Sequence, residues 1–244
     1  MKKRADLLLV ERGLAATRQK AQSLIMSGNV LAEDVPVQKS GQLIEEKSEI
    51  RLRGAAHSYV SRGALKLLQA IREFEVNPQG HVALDVGAST GGFTEVLLEK
   101  GAKKVFAVDA GTNQMNWKLR SDSRVVVLEK TNARHLEYET IGEKVGIITM
   151  DVSFISVTKI FPALLQFTTE KTEWVVLVKP QFEVGKSKVG KGGIVASDEL
   201  RQEALAFVQK EAEKLGLQMI KSADCETHGA DGNREFLVHW RWAG

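Results

Sequence analysis

The sequence predicts an α/β protein: a mostly parallel seven-stranded sheet covered by helices, preceded by a small α+β unit. Three observations carry this. From about residue 60 onward, short β-branched apolar segments alternate with amphipathic ones, the order expected of a parallel sheet covered on both faces. One such segment, 82–86, runs directly into the glycine-rich stretch Gly87-Ala88-Ser89-Thr90-Gly91-Gly92. The N-terminal part differs in charge: residues 1–66 carry 12 basic and 7 acidic side chains, the remainder 22 and 24. A basic segment on a near-neutral body points to an anionic partner met at the N-terminal unit.

Taken in order, residues 5–10 followed by Gly13 read as a helix closed by a glycine. Thr17 can cap a second helix that carries Ala21, Leu24, Ile25 and Gly28. Strand-like pieces follow at 29–31, 35–37 and 49–52. About 54 residues make a small core, so a docked module is expected. The boundaries read as a unit over 1–54, a linker over 55–60 and a larger domain over 61–244. In the larger domain Leu65, Leu68, Ile71 and Phe74 mark one helix face. Strands are expected at 82–86, 105–108, 125–128, 146–151, 174–178, 218–223 and 235–240, and helices at 93–100, 155–167 and 197–215.

Composition excludes several classes. With 43% hydrophobic and 27% charged residues the chain is neither fibrous nor disordered. No apolar run approaches the roughly 18 residues that span a bilayer. The single Cys225 excludes an internal disulfide and a Cys-rich metal site. Lys2-Lys3-Arg4 has the charge of a signal peptide's first region, but Asp6, Glu11 and Arg12 interrupt the apolar stretch behind it. A cytoplasmic protein that does not engage membranes is expected.

A glycine loop between a strand and a helix lets a ligand approach the backbone, and the helix start offers unpaired N–H groups. In an open α/β sheet such loops lie at the ligand-binding carboxyl edge. Segment 105–108 ends in Asp109, a carboxylate placed to accept from ribose hydroxyls. The dinucleotide spacing G-x-G-x-x-G is absent, because Ala88-Ser89-Thr90 separate Gly87 from Gly91, and Asp85 would repel a pyrophosphate. A nucleoside with a cationic centre and no phosphate fits better, which names S-adenosylmethionine as the expected cofactor. The second glycine-rich stretch, 185–192, nearly spells a phosphate-binding loop, but Gly192 stands where the Mg²⁺-binding hydroxyl belongs. It reads as a basic loop near an RNA phosphate or as a solvated surface loop.

Two charges close strands at the same edge: Asp151 and Lys179. A lysine after an apolar run is costly to bury unless paired, and Asp151 is its natural partner. Lys66 and Glu235 could join them, although each read alone is an ordinary solvated charge.

At this point a resemblance is visible. Residues 1–54 resemble an S4 RNA-binding domain through Arg4-Ala5-Asp6, Gly13-Leu14-Ala15 and Arg18-x-x-Ala21-x-x-Leu24-Ile25-x-x-Gly28-x-Val30. The rest resembles the FtsJ-like ribose 2′-O-methyltransferases, which have a Rossmann-like fold. It does so through Ser61-Arg62-Gly63-Ala64-Leu65-Lys66-Leu67, the glycine loop, 178–183, Gly190-Lys191-Gly192-Gly193 and Gly232-Asn233-Arg234-Glu235. Joined in this order the two parts resemble the TlyA family, whose members are often labelled haemolysins. The resemblance implies a catalytic tetrad of Lys66, Asp151, Lys179 and Glu235, and cofactor contacts from Asp85, Gly87, Ser89, Gly91, Gly92, Phe93, Asp109 and Asn132. It makes Lys179 the general base, which must be neutral to act, and lets Lys66 stay cationic against a developing alkoxide. No metal is implied. The expected substrate is a ribose 2′-hydroxyl of ribosomal RNA, on cytidine by resemblance, met as RNA or as a whole subunit. Arg4, Arg18 and Lys20 are the expected RNA contacts. One departure is His57-Ser58-Tyr59-Val60, where the family often carries Arg-x-Trp-Val.

Two other readings compete. One is an RNA-binding protein with an inactive methyltransferase fold, opposed by the complete tetrad and glycine loop. The other is a lytic protein. Segment 197–215 carries Asp198, Glu199, Glu203, Glu211 and Glu213, a poor match for anionic lipid.

Overall fold

The computed structural model describes residues 2–33, 35–52, 59–229 and 232–244, and for Arg51 and Lys186 the backbone alone. The chain divides into two compact units, Met1–Ser58 and Tyr59–Gly244. The expected linker lies, up to residue 58, outside the described residues.

In the first unit, β1 (Lys2–Arg4) leads into α1 (Ala5–Glu11), and α2 (Arg18–Met26) follows. Thr17 caps α2: its hydroxyl accepts the Lys20 N–H at 3.1 Å. Then come β2 (Val30–Ala32), β3 (Val35–Pro36), β4 (Leu43–Glu45) and β5 (Ile50–Leu52). Strands β3, β2 and β5 form one antiparallel sheet, and β1 pairs with β4 in register Lys3–Ile44. Leu8, Leu9, Ile25, Val30, Ile44 and Ile50 fill the core between them. Strands β1 and β4 were not expected. Lys2-Lys3-Arg4 has no apolar alternation, and it is tertiary pairing that draws it into a strand.

In the second unit α3 (Gly63–Phe74) precedes β6 (Val82–Val86), α4 (Gly92–Glu99), β7 (Lys104–Val108), α5 (Trp117–Arg120) and β8 (Val125–Leu128). Next come α6 (Tyr138–Ile141), β9 (Ile147–Met150), α7 (Phe161–Leu164), β10 (Glu173–Val178), α8 (Pro180–Glu183), α9 (Asp198–Glu213), β11 (Leu217–Asp224) and β12 (Phe236–Trp242). The seven strands β6–β12 form one sheet in the order β11-β12-β10-β9-β6-β7-β8. Only β12 runs against its neighbours, so the sheet is mostly parallel, as expected. Alternation splits the buried side chains between two faces. Leu84, Val86, Val176 and Val178 join one apolar cluster, and Ala83, Val175 and Leu177 join the other.

One expectation fails. Residues 155–167 do not form a single helix but a 3₁₀ turn at Val157–Lys159, the short α7, and a second turn at Leu165–Phe167. Pro162 sits in the first turn of α7 and has no N–H to give to a preceding turn. The β-branched Ile155, Val157, Thr158 and Ile160 ahead of it disfavour a longer helix.

Candidate active site

A cavity of 440 Å³ opens at the carboxyl edge of the sheet, within the range of small-ligand sites. Its wall is built from the ends of β6, β9 and β10, from the start of α3, and from the approach to β12. Lys66, Asp151, Lys179 and Glu235 all line it, together with Gly87, Ser89, Gly92 and Phe93.

The four charged residues form two ion pairs. Lys179 Nζ lies 2.6 Å from Asp151 Oδ1 and donates to the Ser153 hydroxyl at 2.9 Å. Lys66 Nζ donates to Glu235 Oε2 at 2.5 Å, across 169 positions of sequence. Lys66 and Glu235 are 7% and 2% exposed, so each depends on the other for charge compensation. The pairing of Asp151 with Lys179 follows from adjacent parallel strands that end at the same edge, with β10 running two residues further than β9.

The glycines also serve the packing of the site. Gly87 has φ +83°, and a side chain there would strike the backbone carbonyl of Asp151. A side chain at Gly92 would strike Ser61 Oγ and the backbone N–H of Ala64. Both glycines therefore let the loop pack against the segments that carry Asp151 and Lys66, which draws the tetrad together. The loop is also held to β7, with the Gly87 and Ala88 N–H groups donating to the Val108 carbonyl.

The remaining expected cofactor residues are placed less directly. Asp85 is fully buried, accepting from Thr94 at 2.6 Å and Thr149 at 2.9 Å, and it does not reach the cavity. Desolvation pushes its carboxyl up to about 6 against the lowering effect of those hydroxyls. Its work is to tie β6 to α4 and β9. Asp109 accepts the Ser89 N–H at 2.8 Å and the Gly111 N–H at 2.6 Å, beside the cavity wall. Gly91 is the N-cap of α4 with φ +98°. Asn132 is not brought to the cavity: its side chain caps the turn Ala133–His135, accepting the Arg134 N–H at 3.1 Å.

Several lining residues have no counterpart among the expected ones. Ser61, Arg62, Ser153, Phe154, Gln181, Phe182 and His228 all contribute. Phe154 is 92% exposed, has φ +66°, and its ring lies 5.4 Å from that of Phe182. An aromatic residue held in the left-handed region and left in solvent is uncommon. The one signal in the sequence is an isolated aromatic in the polar turn after a strand. Gln181 Oε1 is buried in the wall without a hydrogen-bond partner among the described residues, so a donor on a bound ligand would complete it. The volume, the Gly87 and Gly92 backbone in the wall, and the nearby Asp109 carboxylate suit a nucleoside-type cofactor.

In the first unit, Asp6 is fully buried and accepts from Arg4 (3.0 Å twice), Arg18 (2.9 Å) and Gln22 (3.1 Å). Arg4 first, and then Arg18 and Gln22, hold its carboxyl well below the usual carboxylate range despite burial. Both arginines keep part of their guanidinium in solvent, with side chains 42% and 54% exposed, and Lys20 is exposed.

Comparison with known proteins adds to this geometry. A family model described as FtsJ-like methyltransferase matches residues 59–242. The chain is 43% identical over 239 residues to a protein of Mycobacterium tuberculosis named 16S/23S rRNA (cytidine-2′-O)-methyltransferase TlyA, covering 98% of this chain and 89% of that one. It is 39% identical to a Brachyspira hyodysenteriae protein named Hemolysin A, covering 97% and 99%. A solved structure from Streptococcus thermophilus superposes with a TM-score of 0.78 at 39% identity, covering 99% of this chain and 88% of that one.

Proposed function

This chain belongs to the TlyA family of FtsJ-like methyltransferases, and from that premise we propose that it transfers a methyl group from S-adenosylmethionine to a ribose 2′-hydroxyl of ribosomal RNA, on cytidine. The observation that carries the reading is the pair of lysine–carboxylate contacts, Lys179–Asp151 and Lys66–Glu235, around one cavity floored by the glycine loop. The test is to incubate the protein with methyl-labelled cofactor and ribosomal subunits from cells that lack it. Label is expected in RNA; label confined to ribosomal protein rejects the reading.

S-adenosylmethionine supplies an electrophilic methyl group, and Gly87, Ser89, Gly92, Phe93 and Asp109 would hold it. The attacking hydroxyl must lose its proton as the new bond forms. Lys179 Nζ takes that proton once it carries a lone pair, oriented by Asp151 and Ser153. Lys66, held in place by Glu235, stabilises the alkoxide as charge develops. Alignment of donor and acceptor supplies much of the remaining rate. Asp109→Ala is expected to weaken cofactor binding by about 1–3 kcal/mol, as a charge-assisted hydrogen bond is lost. Calorimetry measures this, and an unchanged dissociation constant would remove Asp109 from the site.

Phe154 and Phe182 present an aromatic platform at the cavity mouth on which the target base can stack once it leaves its helix. Phe154→Ala is expected to cost about 1–3 kcal/mol in kcat/KM for RNA, the usual worth of one base–aromatic stack. Cofactor affinity should not change.

The first unit acts as an S4-type RNA-binding module that meets phosphates, and the substrate is a ribosomal subunit. Arg4 and Arg18 have a second duty in holding Asp6, so Lys20 is the cleaner probe. Lys20→Ala should weaken RNA binding at all sequences and lower the slope of log Kd against log salt by about one unit. An unchanged slope would place the phosphate contacts elsewhere. A substrate of ribosomal RNA supports a cytoplasmic protein. Among the described residues no helix is long and apolar enough to cross a membrane.

A further inference from the structure

Glu183 is a buried carboxylate that the methyl-transfer chemistry does not use. It is the last residue of α8, 9% exposed, and it does not line the cavity. Its two oxygens are committed. Oε2 accepts the Ser156 hydroxyl at 2.6 Å, and Oε1 accepts the Val157 N–H at 3.0 Å. Burial pushes its carboxyl up, against the lowering effect of these two bonds. A carboxylate in such a place is costly unless it organises something.

What it organises lies between its partners and the tetrad. The segment after β9 runs Asp151-Val152-Ser153-Phe154-Ile155-Ser156. At its start Asp151 is paired with Lys179, and two residues on Ser153 accepts from the same Nζ. At its far end Ser156 and Val157 are fixed by Glu183. Lys179 caps the short helix that carries Phe182, and Glu183 ends it. The turn after β9 is thus fastened at both ends to the turn after β10, and Phe154 stands between the fastenings with φ +66°. A left-handed phenylalanine held in solvent needs such fastening, because nothing in its own conformational preference keeps it there.

We propose that Glu183 is a positioning residue: through Ser156 and Val157 it fixes the turn that presents Ser153 to Lys179 and Phe154 to the substrate base. This rests on the methyltransferase reading of the site for its catalytic consequence, but not for the brace itself. Reach matters more than charge. Gln at 183 can accept from Val157 and donate to the Ser156 oxygen, whose own proton can turn to Thr158 Oγ1, 2.7 Å away. Asp at 183 keeps the charge but is one methylene too short to reach both partners.

The test compares the full-length protein with Glu183→Ala, Glu183→Gln and Glu183→Asp. Single-turnover methyl transfer is measured on saturating unmethylated ribosomal subunits, with S-adenosylmethionine affinity by calorimetry and amide hydrogen exchange as a second readout. The Ala and Asp variants should transfer about 10- to 100-fold more slowly, the scale expected when reacting groups lose about an ångström of placement. The Gln variant should recover most of the rate. Cofactor affinity should stay within about twofold, since the glycine loop is untouched. Exchange should accelerate over residues 151–158 in the Ala and Asp variants and not over 87–92. If the Ala variant fails to fold, the Asp variant decides. Wild-type rates and unchanged exchange in both would overturn the proposal, as would equal loss in Gln and Asp. If the wild type transfers no methyl at all, the reading of the site fails, and the exchange pattern still decides whether Glu183 braces the turn.

Discussion

Lys179→Arg should abolish methyl transfer while leaving the fold and cofactor binding near normal. The guanidinium keeps the positive charge that Asp151 pairs with but cannot give up its proton in the accessible range, so it cannot accept one from the ribose. A positioned general base contributes about 10²–10⁴-fold, and the single-turnover rate should fall by that amount. Lys179→Ala should fall as far. Its stability cost should be modest, because Asp151 is partly exposed to the cavity and can hydrate when left alone. If the Arg variant keeps substantial activity, Lys179 acts through its charge and the proton leaves by water.

Glu235→Ala should have the largest effect on stability. It leaves Lys66, a residue 7% exposed, without the carboxylate that pairs with it. Breaking a buried ion pair from one side costs about 3–5 kcal/mol. Lys66 borders a cavity that admits water, which places the expected value near the lower end, at about 3 kcal/mol. The double variant Lys66→Met/Glu235→Leu should recover most of the lost stability, since a packed apolar pair needs no compensation, yet should not recover transfer. Urea denaturation of the two single variants and the double variant closes the cycle. Additive costs would mean that the two side chains do not support each other.

The sheet was legible because its strands are short apolar runs bounded by turns, and the one reversed strand changes nothing in that pattern. Asp151 and Lys179 were legible as a pair because two neighbouring parallel strands end on them. Lys66 and Glu235 were not, since nothing local joins a helix near the start of the domain to a strand at its end. Their contact is made by the sheet order that sets β12 beside β10. The glycine loop was located correctly and its physics was only partly read. Glycine was read as room for a ligand alone, and Gly87 and Gly92 also make room for Asp151 and for the start of α3. Asp85 looked like a ligand contact because it adjoins that loop, but strand alternation turns it inward under Thr94. Phe154 left no periodic signal, because its role depends on a left-handed backbone and on a brace from another turn. The helix expected over 155–167 was lost to Pro162 and its β-branched neighbours.

The central claim, that the cavity methylates a ribose rather than a base or a protein, is tested most directly by alkaline hydrolysis of the RNA product. Cleavage needs a free 2′-hydroxyl, so ribosomal RNA treated with the protein and S-adenosylmethionine should show a gap in its alkaline ladder at the labelled nucleotide. The same RNA treated with the Lys179→Arg protein should show none. A labelled nucleotide that still cleaves in alkali would carry its methyl on the base and would contradict the account.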